Sequence, residues 1–279
     1  MSLMLKLLKI LLLSTIALSA KTEIDQKQLV RYFGDHVVKN PDVKVTSVTI
    51  LEQKSVDEVK GWEVFFAQMK VDYNGEEIVV PEMFFYKDGV VAPSLVDIKT
   101  RKNYRDELKP SVPSNLYNKS HLIAGEMDAK HKIILFSDPL CPFCQEIFPD
   151  MLKVAIDNPK TIALYYYHLP LKRLHPASEV LTRIMHVAQN EGKIDVLEKI
   201  YAMKIDPKET NPTTILKAVE EQTGFSTTLE KIESKEVLDA LAHDEEVALR
   251  MMVTGTPTVY IDGKWDKLRE GFRSLVPKR

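Results

Sequence analysis

The chain has 279 residues, 44% hydrophobic and 28% charged, which excludes wholesale disorder and a collagen-like fibre. Lys and Arg number 38 against 40 Asp and Glu, so no basic excess exists to neutralise a phosphate backbone, and nucleic acid is not an expected partner. Two cysteines are too few for a disulfide-stapled mini-fold or an all-cysteine zinc site.

Residues 1–20 read as a cleavable secretory signal. Lys6 and Lys9 form a basic start, and Ile10 to Leu18 is apolar apart from Ser14 and Thr15. Ala17-Leu18-Ser19-Ala20 then offers small residues for cleavage. The apolar run is shorter than the ~20 residues that a bilayer span needs. Removal takes away two lysines and no acid, so an exported, mildly acidic chain is expected, in a compartment where disulfides persist.

Residues 21–92 read as a small α+β unit. Ile24 to Asn40 is helical by pattern, with Leu29, Val30, Phe33, Val37 and Val38 recurring at mostly three- and four-residue steps, and Asn40-Pro41 stops it. The period then switches to two, with a phase slip near Ser47 that suggests a bulge. Trp62 to Tyr73 runs into Asn74-Gly75, a strong hairpin signal, and Ile78 to Tyr86 is the return strand. Asp88-Gly89 makes a second turn, and Pro81 argues for an edge or a bulge. Residues 93–120 read as a linker, with a polar helix over Pro93 to Lys109 capped by Ser94, then a break at Pro110 to Asn115. The charge run Lys99 to Lys109 is expected to be a solvated face.

Residues 121–279 alternate in an α/β manner. His131 to Phe136 is a buried strand that leads through Ser137-Asp138-Pro139-Leu140 into Cys141-Pro142-Phe143-Cys144. A helix follows to about Asp157, with Phe148, Met151, Leu152 and Ala155 on one face and a kink expected at Pro149. Thr161 to Leu169 is apolar on both phases, as a strand covered on two faces should be. A helical block fills about 176–252. Thr258 to Ile261 and a short partner near Trp265, joined by Asp262-Gly263, close the layout.

The chemistry centres on Cys141 and Cys144. Two intervening residues let the pair close as a disulfide on the first turn of a helix. Cys141 would sit at the helix start, where unpaired N–H groups and the helix dipole favour a thiolate. Pro142 falls at the first helical position, where its missing N–H costs nothing. Such a thiolate is both a nucleophile and a good leaving group. Cys144, one turn in, is placed to attack the mixed disulfide, and burial should leave it much less accessible. Zinc would need two more ligands, and His168 and His175 are spaced unlike common zinc ligands. A purely structural disulfide closing two residues would constrain little. Redox exchange is the reading that uses strand, helix and export together.

The run Phe136-Ser137-Asp138-Pro139-Leu140-Cys141-Pro142-Phe143-Cys144 resembles the active-site segment of the bacterial periplasmic disulfide isomerases, the DsbC/DsbG-like members of the thioredoxin superfamily. Gly255-Thr256-Pro257-Thr258 resembles the cis-proline loop of the same family. The resemblance implies a thioredoxin-like α/β domain with a helical insertion, preceded by a dimerisation domain and a helical linker. It also implies a cis Pro257 facing the cysteines, and a Thr256 backbone that pairs with a substrate strand. The activity implied is thiol:disulfide interchange in the periplasm, isomerisation with chaperone-like client binding. A dithiol oxidase, a cytochrome-maturation reductase and a non-enzymatic chaperone are the alternatives. Unfolded or misoxidised exported proteins, a membrane redox partner and a second copy of the chain are the implied partners. No cofactor and no metal are called for.

Other residues carry plainer expectations. Asp138 reads as a cap or turn residue, and Tyr165-Tyr166-Tyr167 as strand core. His168 and His175 read as loop or surface residues, with tuning of Cys141 as the alternative. Trp62, Phe65, Phe66, Met83, Phe84 and Phe85 read mostly as core, dense enough to leave an apolar surface for a client.

Overall fold

The computed structural model describes residues 24–276, so residues 1–20, where a signal segment is expected, lie outside the described residues. Helix α1 (Gln26–Tyr32) starts at Asp25, whose carboxylate accepts from Lys27 N at 2.8 Å. It gives way at Phe33–Val37 to one turn of π-helix and ends short of Asn40, because Gly34 and Asp35 are poor helix formers.

Strands β1 (Val43–Ser55), β2 (Glu63–Tyr73), β3 (Glu76–Lys87) and β4 (Val90–Ala92) form one antiparallel sheet in chain order. The register slips between Val45 and Ser47, as the phase change suggested, and again between Ile50 and Glu52. Asn74 and Gly75 turn with φ of 54° and 88°, and Asp88 and Gly89 with 48° and 84°, the paired left-handed angles of a type I′ hairpin. β4 pairs with β3 only at Phe85 to Lys87, so Pro81 lies on an open edge, with no bulge against β2.

Both faces of this sheet are covered by the chain itself. Leu29 and Phe33 of the first helical segment pack on Val45, Val48, Phe65, Ala67, Met69 and Phe84 on one face. The other face buries Val64, Phe66, Met83 and Phe85 beneath Tyr104 and Met252. The aromatic run is therefore core, and the apolar client surface expected from its density is not there: Phe65, Phe66, Phe84 and Phe85 are buried and Trp62 is half-buried.

The polar stretch 93–109 is not a helix, which corrects the expected rod-like spacer. The carboxylate of Asp97 accepts from Lys99 N and Thr100 N, and Asn103 caps a single 3-10 turn at Tyr104–Asp106. Such side chains capture local backbone donors and compete with helix. Nor is the stretch merely solvated. Arg105 reaches the carbonyls of Met83 and Pro93 and the carboxylate of Glu82, which fastens the segment to β3. Lys109 then donates to the Met252 carbonyl at 2.6 Å, and Lys267 pairs with Glu107 at 2.6 Å. These bonds tie the first sheet to the second half of the chain.

That half holds a five-stranded sheet of β5 (Leu122–Ala124), β6 (His131–Ser137), β7 (Ile162–His168), β8 (Thr258–Ile261) and β9 (Lys264–Trp265), in the order β5-β7-β6-β8-β9. β6 and β7 run parallel and the other pairs antiparallel. Every residue of β7 is buried, including Tyr165, Tyr166 and Tyr167, as a strand covered on both faces requires. Helix α2 (Pro142–Asp157) crosses over between β6 and β7 and carries Pro149 inside it. Helices α3 (Ala177–Asn190), α4 (Ile194–Ala202), α5 (Pro212–Thr223), α6 (Leu229–Ile232) and α7 (Lys235–Arg250) lie between β7 and β8. Gly125, at φ +83°, sits where a Cβ would be 1.9 Å from the Ile162 carbonyl oxygen, so only glycine lets β5 meet β7. Among the described residues, no helix is long and apolar enough to cross a membrane.

Candidate active site

β6 ends at Ser137, and the chain turns through Asp138 into α2. The turn is built on the Asp138 carboxylate, which is fully buried. Its Oδ1 accepts from Leu140 N at 2.7 Å and from Ser178 Oγ at 2.7 Å. Its Oδ2 accepts from Leu171 N at 2.7 Å and lies 3.2 Å from His175 Nδ1. Asp138 is thus a turn residue, as expected, and also the clasp between the active-site turn and the loop after β7.

The turn delivers Cys141 to the N-cap of α2, with Pro142 at the first helical position. The thiol of Cys141 faces the carbonyl of Thr256 at 3.4 Å, and the Thr256–Pro257 peptide bond is cis. Residues 115 apart in the chain therefore meet at one sulfur. Pro142 and Phe143 are exposed, the latter by 59%, with Arg269 over its ring. They form the rim beside the sulfur. His175 acts on Asp138, while His168 is not a loop or surface residue. It is buried at the end of β7, edge-on to Tyr166 and His186, because α3 packs over that end of the strand.

The two cysteines differ in acidity more than in area. Cys141 is 5% exposed and Cys144 0%, a smaller gap than the helix position suggested. The Cys141 thiol is pulled down to about 5, chiefly by a hydrogen bond from the Cys144 thiol. Burial opposes this, and the Thr256 side chain and the backbone N–H groups of Cys144 and Phe143 add to it. Burial pushes Cys144 far up. One sulfur is a thiolate at neutral pH and the other a thiol that donates to it.

Alkylation of the reduced protein should therefore follow a single titration with a midpoint near pH 5, the value for Cys141. Mapping the labelled peptide should find Cys141 alone; label on Cys144 would reverse the assignment. The sign for stability follows from the same group. Its folded value lies below the ordinary 9.0, so it stabilises the reduced fold fully above pH 9.0, and that contribution is lost as the pH falls to about 5.

The buried hydrogen-bonded hydroxyls of Ser137, Tyr166 and Tyr201 had no signal in the sequence. Ser137 stands in the motif, but its partners Tyr201 and Tyr166 are 64 residues away and on the neighbouring strand. A run of three tyrosines reads as core whether or not one of its hydroxyls joins a buried hydrogen-bonded pair.

The curated relatives that the chain matches are longer proteins. It is 22% identical over 143 residues to the Na(+)/H(+) antiporter NhaA 3 of Salinispora tropica, a match covering 51% of this chain and 22% of the antiporter. With the Na(+)/H(+) antiporter NhaA 1 of Mycolicibacterium gilvum the figures are 23% over 150 residues, 52% and 24%. The chain thus spans less than a quarter of either. Among solved structures, oxidised BdbD from Bacillus subtilis is 19% identical with a TM-score of 0.48, covering 61% of this chain and 98% of that one. A putative protein-disulfide isomerase from Pseudomonas syringae is 15% identical with a TM-score of 0.47, covering 57% and 99%. The oxidoreductase NmDsbA1 from N. meningitidis is 21% identical with a TM-score of 0.46, covering 61% and 86%. The thioredoxin family model matches residues 117–273, more than half of the sequence and all of the strand–turn–helix that carries the two cysteines, so the chain belongs to the thioredoxin family.

Proposed function

We propose that this protein is a thiol:disulfide interchange enzyme for exported proteins, working in the periplasm after loss of residues 1–20. The observation that carries the reading is the pairing of an acidic Cys141, set against the Thr256 carbonyl, with a buried neutral Cys144. The Cys141 thiolate attacks one sulfur of a client disulfide and forms a mixed disulfide, and the other client sulfur leaves with the electron pair. Cys144 then attacks Cys141, forms the internal disulfide and releases the first client sulfur, or the client's own thiol does so and the client leaves rearranged. Thr256 and Pro257 hold the client strand beside the sulfur, and Pro142 and Phe143 form the rim it passes over. A membrane redox partner resets the pair.

Isomerisation is the leading activity, as in the DsbC/DsbG-like proteins that the motif resembles. Its division of labour is residues 21–92 for dimerisation, 93–120 as linker and 121–279 for chemistry. β1 is an edge strand with 13 residues of backbone on one unpaired side, which suits pairing with a second copy. A second reading, a dithiol oxidase, is favoured by the acidity of Cys141, since a stabilised thiolate makes the disulfide oxidising. A scrambled-disulfide refolding assay on the full mature chain, run with sedimentation at micromolar concentration, separates the two. An isomerase restores a scrambled client and sediments as a dimer. A monomer that oxidises dithiols but leaves scrambled client inactive would move the assignment to the oxidase.

A further inference from the structure

The loop after β9 is held in place at both ends. Asp266 N donates to the Val259 carbonyl at 2.8 Å, which anchors the loop on β8. The Asp266 carboxylate accepts from Gly271 N at 2.8 Å, and Arg269 N donates to the Asp266 carbonyl at 3.1 Å, so the backbone from 266 to 271 closes on itself. Phe272, next in the chain, is fully buried in the core to which α2 contributes Phe148 and Met151.

The loop carries three cations, and two of them have counter-charges. Lys267 pairs with Glu107 at 2.6 Å. Arg273 pairs with Asp150 of α2 at 2.7 Å and with Glu270 at 2.6 Å. Arg269, half-buried, forms no ion pair and gives its guanidinium no oxygen acceptor among the described residues. Its charge lies over the Phe143 ring, 5.6 Å from the centroid. A ring attracts the charge but supplies no oxygen for the five N–H donors. The placement also has a cost. Arg269 sits at φ 61°, a left-handed angle that a residue with a side chain adopts only where its surroundings hold it, and here the closed turn of Asp266 does.

Phe143 lies between the two cysteines and is exposed, as is Leu268 beside Arg269, so the guanidinium stands on the rim that a client passes over. Glu146, three residues after Phe143 on α2, makes no ion pair with it. Nor does the thiolate occupy it: Cys141 draws its acidity chiefly from Cys144, Thr256 and the backbone N–H groups of the first helical turn.

We infer that Arg269 is a specificity-determining residue of the interchange site: its guanidinium takes the carboxylate of a Glu or Asp side chain next to the client's reacting cysteine. The two carboxylate oxygens match the fork of N–H donors that the ring leaves without a partner. The chain as a whole carries −2, so its overall field disfavours an acidic client, and a preference for one has to come from a local cation.

The role rests on the interchange reading, and the test separates the two. Peptides with a single cysteine, activated as its 2-thiopyridyl disulfide, carry Glu, Gln or Lys on both sides of that cysteine. The Cys141 thiolate of the reduced full-length mature protein attacks the peptide sulfur, and thiopyridine leaves with the electron pair, takes up a proton and is read by its absorbance in stopped flow. At low ionic strength the wild type should react about fivefold faster with the Glu peptide than with the Gln peptide, and salt at about 0.5 M should erase the difference. Arg269→Gln should bring the two rates together, and Arg269→Glu should reverse the order in favour of the Lys peptide. Rates with the neutral Gln peptide should stay within about twofold in both variants, because a neutral peptide forms no ion pair with position 269. A wild type with no preference for the Glu peptide would overturn the inference, as would a preference that survives in Arg269→Gln. Equal slowing of the Glu and Gln peptides in that variant would also overturn it, since it marks a general effect on the thiolate or the fold. Each of these leaves the interchange reading standing; a wild-type protein that forms no mixed disulfide at Cys141 with any peptide would overturn both.

Discussion

Replacing Cys141 with serine should abolish thiol–disulfide exchange while the fold persists. The substitution exchanges one atom at a site with 5% exposure, at the start of a helix whose N-cap position favours serine, so Tm should move by no more than a few degrees. The chemistry has no substitute. A serine hydroxyl is not ionised at neutral pH, whereas Cys141 is held down to about 5. Cys144 cannot take over, because burial holds its thiol protonated and the helix turns it into the core. Insulin reduction by dithiothreitol, or oxidation of a dithiol peptide, should fall to the uncatalysed rate. Cys144→Ser should do the opposite in one respect: the first attack survives, and the client accumulates as a mixed disulfide on Cys141. Retention of more than about a tenth of the exchange rate in Cys141→Ser would remove Cys141 as the nucleophile.

The features legible in the sequence are the local ones. Cys141 and Cys144, three apart and opened by Pro142, need only the first turn of one helix to become a pair of unequal acidity. The turns at Asn74-Gly75 and Asp88-Gly89 are set by two residues each, and both form as expected. The meeting of Cys141 with Thr256 is not local. It depends on β6 and β8 lying side by side, which the resemblance of two short motifs suggested and periodicity alone could not.

The misreadings share one cause. Residues 93–109 have enough apolar spacing for a helix, but Asp97 and Asn103 capture the backbone donors, and Arg105 finds the Met83 carbonyl and the Glu82 carboxylate on β3 some twenty residues earlier. The aromatic run 62–85 is dense because it serves two faces. Which faces are covered was decided by α1, by Tyr104 and by Met252, and Met252 arrives from far along the chain. His168 read as a loop residue because α3, which buries it, gives no sign in the sequence of where it docks.

The same long-range logic makes Asp138 the costliest polar side chain to remove. A buried carboxylate is tolerated only when its lone pairs are filled, and four donors fill these: the backbone N–H groups of Leu140 and Leu171, the Ser178 hydroxyl and His175 Nδ1. Asp138→Ala leaves those donors facing a small void. Each orphaned buried donor costs about 1–3 kcal/mol, and partial collapse or entry of water recovers some of it, so a net loss of about 3–5 kcal/mol is expected. For a chain of this size that is a fall in Tm of roughly 10 °C. Asp138→Asn keeps the shape and one oxygen, but turns an amide N–H₂ towards two of the donors, so about half the loss is expected. The damage should not spread evenly. Asp138 joins the turn that delivers Cys141 to the loop after β7 and to the start of α3, so amide exchange should quicken first at Leu140, Cys141 and Leu171, ahead of the buried strand β7. A Tm within about 2 °C of wild type for Asp138→Ala would show that the turn holds its shape without the carboxylate, and that the cysteine pair is positioned by α2 alone.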